Sequence, residues 1–175
     1  MGREVRMVPA DWQHPEEWNP YRRQMDHKPL LKGPFSESLA TWERENQEWA
    51  NGNVRDYSRY SENVFKPKDD SHTGSFEDYY GERPQAEKYM PEWPADKATY
   101  LMMYETCSEG TPISPAFATA EGLARWLADN GASSFGSDTA SYEAWLATIK
   151  RGWAISAIID NNGLRSGVEA MADEA

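Results

Sequence analysis

The chain has 175 residues, a net charge of −11 and a mean hydropathy of −0.85, yet 13% of it is aromatic, with eight Trp and nine Tyr. That length fits one integrated domain, and that charge disfavours wrapping a nucleic-acid backbone or binding an anionic membrane. A single cysteine, Cys107, excludes an intrachain disulfide, which suits a reducing compartment.

Residues 2–8, GREVRMV, predict a short strand ended by Pro9. Five prolines between residues 9 and 34 exclude a long helix and a central strand there, while Trp12, Trp18 and Tyr21 argue for an ordered loop. Residues 36–50 predict a helix with a stripe of Leu39, Trp42, Asn46 and Trp49, Ser36 as N-cap and Gly52 as its close. Glu43, Arg44, Glu45, Gln47 and Glu48 form its solvated face. Residues 51–98 are turn-rich, with 66–75, KPKDDSHTGS, as the point expected to be disordered and FEDYYGER as a turn or two of helix ended by Gly81.

Residues 99–107 predict a strand with Leu101, Met102 and Met103 inside. Residues 119–130 predict a helix capped by Thr119, with Leu123, Trp126 and Leu127 facing the core. A second helix spans 139–151, with Tyr142, Trp145, Leu146 and Ile149 on one stripe and Gly152 at its end. Residues 153–159 read as a strand and the Ala/Glu-rich tail as frayed. The fold class is therefore α+β. A compact strand-helix-helix-strand unit (99–175) is expected to be wrapped by an irregular aromatic segment (1–98) containing the helix 36–50. The longest apolar stretch, WAISAII (153–159), is far short of a membrane span, and MGREVRMV has no apolar core of a secretory signal.

Few residues form a recognisable catalytic pattern. His14, His27 and His72 have no metal-ligand spacing, and Cys107 has no C-x-x-C partner. Asp11, His14, Asp26 and His27 could meet in a folded loop, but loop hydrogen bonding is the favoured reading, so no metal and no cofactor is assigned. No nucleophile elbow exists, paired carboxylates such as Asp69 and Asp70 read as solvated, and the balance is against an enzyme. GASSFGSDTA (131–140) has the small residues of an anion-binding loop, with Ser133, Ser134, Ser137 and Thr139 as donors, but no Walker Lys. An ordinary helix connection is favoured there. The stronger binding candidates are Tyr57, Tyr60, Tyr79, Tyr80, Tyr89 and Trp93 with Arg55, Arg59 and Arg83 between them, a composition suited to a protein interface or to stacking a nucleotide.

Two stretches carry a family resemblance. GREVRMVPADWQHP (2–15) and GTPISPAFATAEGLARWLADNGASSFGSDTASYEAWL (110–146) resemble small proteins encoded by tailed bacteriophages and prophages. The family brings no settled activity, so it supplies no catalytic residues. The resemblance implies a phage gene product acting in the host bacterial cytoplasm. Three readings follow: a non-enzymatic protein that binds and neutralises a host component, above all one of an antiviral defence system; a nucleotide- or nucleic-acid-processing accessory enzyme; or a minor virion or assembly protein. The expected partner is a host protein or a nucleotide ligand, with no membrane.

Overall fold

In the computed structural model, which describes residues 2–58, 63–106, 110–160 and 163–172, the N-terminal strand is an interior strand of the main sheet. β1 (Arg3–Val8) lies between β6 (Tyr100–Glu105) and β8 (Trp153–Ala154), and β7 (Thr111–Pro112) forms the far edge. All pairings are antiparallel, with Val5 opposite Met103 and Arg6 opposite Met102. The unit read from the sequence as 99–175 is thus joined by the first residues of the chain. Contacts divide the protein into two compact units, one of Met1–Leu31 with Glu92–Ala175 and one of Lys32–Pro91.

In the first unit, strand alternation puts Val5, Leu101 and Met103 on one face of the sheet. Helices α3 (Ala120–Asp129) and α4 (Tyr142–Arg151) cover that face with Leu123, Ala124, Leu127, Ala144, Trp145 and Ile149. Both helices are capped by side chains. Thr119 accepts from the Gly122 amide and Ser141 from the Ala144 amide, and Gly152 ends α4 at φ 93°. α4 begins at Tyr142 because Ser141, not a residue near 139, takes the cap.

Two sequence expectations change at the C-terminal end. The strand expected over 153–159 is two strands in different sheets, β8 and β9 (Ala157–Asp160). β9 pairs with β10 (Gly163–Ser166). The tail expected to fray forms α5 (Gly167–Ala172), whose Val168 is fully buried in the core. A small helix of this kind is held by packing rather than by propensity.

The opposite face of the sheet carries Glu4, Arg6, Val8, Met102 and Tyr104, all buried. Residues 9–31 supply cover for it and include a lone hairpin, β2 (Glu16–Asn19) and β3 (Gln24–His27).

The second unit is built on α1 (Phe35–Ala50), the hairpin β4 (Asn53–Arg55) with β5 (Phe65–Pro67), and α2 (Phe76–Tyr80), followed by a short 3₁₀ turn at Ala86–Lys88. Its core is Trp49, Val54 and Phe76, flanked by Trp42 and Tyr80. Pro34, not Ser36, occupies the N-cap of α1, without a side-chain bond. Glu45 is not on a solvated face. It is 8% exposed and meets the Arg55 guanidinium at 2.9 Å. Residues 69–75, inside the segment expected to be disordered, form a hydrogen-bonded turn. Asp69 accepts from the Ser71 amide and hydroxyl and faces His72 at 2.8 Å, and Ser75 closes a capping box on α2. The Ser71 hydrogen bonds hold the Asp69 carboxyl down to about 2. Among the described residues no helix is long and apolar enough to cross a membrane.

Candidate functional site

The first unit holds a cleft of about 820 Å³. It is lined by Trp12, His14, Glu16 and His27 from the N-terminal segment, Met102 from β6, the stretch Pro112–Ala116, and Trp126 from α3. This size is that of a site for a small molecule or a short peptide segment.

The floor of the cleft is a fixed hydrogen-bond chain. His14, 8% exposed, donates from Nε2 to the Lys28 carbonyl at 2.7 Å. That leaves Nδ1 to accept from the Tyr104 hydroxyl at 3.2 Å, and the same hydroxyl accepts from the Trp12 indole at 3.3 Å. Burial, above all, pushes the His14 imidazole below its ordinary pKa, and the nearby His27 and Arg6 charges act in the same direction. Burial likewise raises the Tyr104 phenol.

Beneath the Tyr104 ring the Arg6 guanidinium stacks at 4.5 Å from its centroid. Arg6 is held by the Glu4 carboxylate at 2.6 Å and the Leu30 carbonyl at 2.7 Å. Gly110, at φ 98°, passes close to this cluster: a Cβ there would stand 2.0 Å from the Leu30 carbonyl oxygen and 2.4 Å from an Arg6 nitrogen. The wall is aromatic. Trp93 meets Trp12 edge-on at 4.8 Å, and His27 meets His14 edge-on at 5.5 Å.

Chemically the cleft mixes apolar and aromatic surface with a comparable polar surface, and the His14–Tyr104–Trp12 groups on its floor already satisfy one another. The Glu16 carboxylate and the His27 imidazole, 3.8 Å apart and half exposed, face each other in it. Among the described residues no three His, Cys, Asp or Glu side chains gather as metal ligands.

No protein-family model, curated protein or solved structure matches this chain.

The sequence-predicted residues distribute as follows. Arg55, Tyr57, Tyr79 and Tyr80 converge in the second unit around a pocket of about 300 Å³, with His72 and Lys66. Their polar groups are largely engaged. The Tyr80 hydroxyl accepts from the Arg55 amide, the Tyr79 hydroxyl donates to the Ser71 carbonyl, and the Arg55 guanidinium faces Glu45 while lying 5.5 Å from the Tyr57 ring. Tyr89 packs on Phe35, Arg83 pairs with Glu43 at 2.8 Å, and Trp93 belongs to the wall behind Trp12. Arg59, Tyr60 and Cys107 lie outside the described residues.

In the loop 131–140, Ser133 donates to the Gly136 carbonyl at 2.7 Å and accepts from Arg3, while the fully buried Ser134 hydroxyl points at the Asp138 and Thr139 carbonyls, each at 3.1 Å. Ser137 and Thr139 are exposed. The loop is thus tied to β1 by Arg3, whose Nε and Nη2 reach the Ser133 carbonyl at 2.9 and 2.7 Å.

Sequence reasoning missed the cleft because its residues come from four separated segments. Trp126 was assigned to the core alone. It does pack on Phe117, but it also lines the cleft. The one local signal was Trp12 beside His14.

Proposed function

We propose that this chain is a non-catalytic binding protein, encoded by a phage, whose cleft captures a segment of a host protein and neutralises it, the target being a component of an antiviral defence system. The observation that carries the binding part is the cleft itself. Trp12, Trp126, Met102 and Ile113 line it, and both ring nitrogens of His14 are committed to internal hydrogen bonds. An imidazole so committed has no lone pair for a general base, whereas rings beside polar groups on a fixed floor suit docking of a segment with both apolar and polar side chains. The phage source rests on the resemblance of residues 2–15 and 110–146 described above. The net charge of −11 favours a partner with a basic rim.

Affinity capture from bacterial lysate at mild salt tests this reading, with wild type beside Trp126→Ala. A stoichiometric protein partner held by the wild type and released at least tenfold more readily by the variant is the expected result. Recovery of no stoichiometric protein, or of a bound nucleotide in its place, removes the reading.

A further inference from the structure

The β2–β3 hairpin is one of two lone two-stranded sheets in the first unit. Its strands hydrogen-bond only to each other. It nonetheless displays Trp18 at 59%, Met25 at 51% and Tyr21 at 96% exposure. A two-stranded hairpin is marginal in water and gains stability when its apolar face is covered.

The register separates the two faces. Trp18 stands opposite Met25 and Glu16 opposite His27, so one face carries Glu16, Trp18, Met25 and His27. The other face carries Glu17, Asn19, Gln24 and Asp26. The turn is firmly built. Asn19 Oδ1 accepts from the amides of Tyr21 and Arg22, and the Asp26 carboxylate accepts from Asn19, Gln24 and Arg22. Arg23 sits at φ 53°, the non-glycine residue with positive φ among those described. The hairpin is therefore polarised along its length, acidic where Glu16 and Glu17 begin it and basic at the tip with Arg22 and Arg23.

We infer that this face is a twofold interface with a second copy of the chain. Each residue of a strand advances about 3.4 Å, so Glu16 lies about 7 Å to one side of the Trp18–Met25 pair, and the turn with Arg22 and Arg23 lies beyond the strand ends on the other side. Two hairpins laid face to face about a twofold axis through that pair bring Trp18 and Met25 of one copy onto those of the other. The same rotation sets each basic tip against the other copy's acidic base, which is the self-complementarity a twofold interface requires. An acidic partner protein would match the tip alone and be repelled by Glu16.

Two chains of charge −11 repel, but at 0.15 M salt that repulsion is screened beyond about 8 Å, while contacting Arg–Glu pairs are not. One hairpin face is smaller than the standard interface of about 800 Å² per partner, so the dimer is weak and concentration-dependent.

Sedimentation velocity of the full chain at about 0.15 M salt, over concentrations on the order of 1–500 µM, tests this. The face shares Glu16 and His27 with the cleft lining, but the readout is mass in solution with no third component, so its outcome is distinct from that of capturing a host segment. The expected result is a shift from the 19.9 kDa monomer toward twice that mass. Trp18→Ala, Met25→Ser and Arg23→Glu each weaken the dimer at least tenfold with unchanged far-UV circular dichroism, and the double variant Glu16→Arg/Arg23→Glu recovers it. A wild type that stays monomeric throughout, a dimer indifferent to both Trp18→Ala and Met25→Ser, or no recovery in the double charge reversal overturns the inference.

Discussion

His14 shows how one side chain couples a local turn to the sheet. It bridges the Lys28 carbonyl at the base of the hairpin and the Tyr104 hydroxyl on β6. Burial lowers its pKa in the folded state below the ordinary 6.5, so the unfolded chain binds the proton more readily. Stability from this group is therefore complete above the unfolded pKa and is lost as pH falls through 6.5 toward the folded value. His14→Gln keeps a donor and an acceptor but does not titrate. At about pH 7.5 the variant is expected to lose about 1 kcal/mol in urea unfolding, since its hydrogen bonds are less well placed. Between about pH 7.5 and pH 5 the wild type should lose more stability than the variant does. Parallel pH profiles for the two proteins would show that His14 contributes nothing to the slope. Tyr104 belongs to the same argument: its buried hydroxyl meets the Trp12 indole and the His14 imidazole, with the Met102 sulfur at 3.4 Å beside it. None of these pairings is local in sequence, which is why Trp12 could be read as ordering its loop and His14 as a loop hydrogen-bonding residue, but not as the wall and floor of a cleft.

At the scale of elements, what was legible in the sequence was what local chemistry decides. α3 and α4 were visible from apolar spacing, the Thr119 cap and Gly152, and the structure keeps both. β1 was visible as a strand but not as an interior one. Its outward-reading residues Glu4 and Arg6 are buried against each other, Tyr104 and Leu30, so alternation of polar and apolar residues did not reveal that both faces are covered. Arg3 is the counterpart on the helix side of the sheet, 1% exposed, and it fixes the connection between α3 and α4 through the Ser133 carbonyl. A lysine cannot reproduce that two-pronged geometry. Arg3→Lys is expected to cost about 2–3 kcal/mol, the scale of lost hydrogen bonds from a buried charged group, read as a lower urea midpoint with an unchanged m-value. A change under about 0.5 kcal/mol, within the range of ordinary surface substitutions, would mean that the loop holds its shape without Arg3.

For the whole molecule, the chain order hides the division into units. Lys32–Pro91 forms a compact unit set within a chain whose first and last parts fold together, so no single composition boundary marks it. Expecting an irregular first half followed by a compact second half was natural, because the turn-rich composition of 51–98 masks the small aromatic core of Trp49, Val54 and Phe76. That core is the limiting feature of its unit. A segment on the order of 60 residues buries a smaller share of its surface than a larger domain does and is correspondingly marginal. The first unit has a larger core, with Met103, Leu123, Leu127, Trp145 and Val168 all fully buried. Opening free energies should therefore differ between the units, and native-state hydrogen exchange reads them separately. Amides in the middle of β1, β6, α3 and α4 are expected to exchange last. Those in the middle of α1 and in β4 should exchange at least about tenfold faster, a difference of about 1.4 kcal/mol in opening free energy. Phe76→Leu, which trims the smaller core, should speed exchange in α1 and β4 and leave α3 and α4 unchanged. Equal protection of α1 and α4, or a Phe76→Leu effect spread evenly over both units, would show instead that the chain opens as one cooperative body.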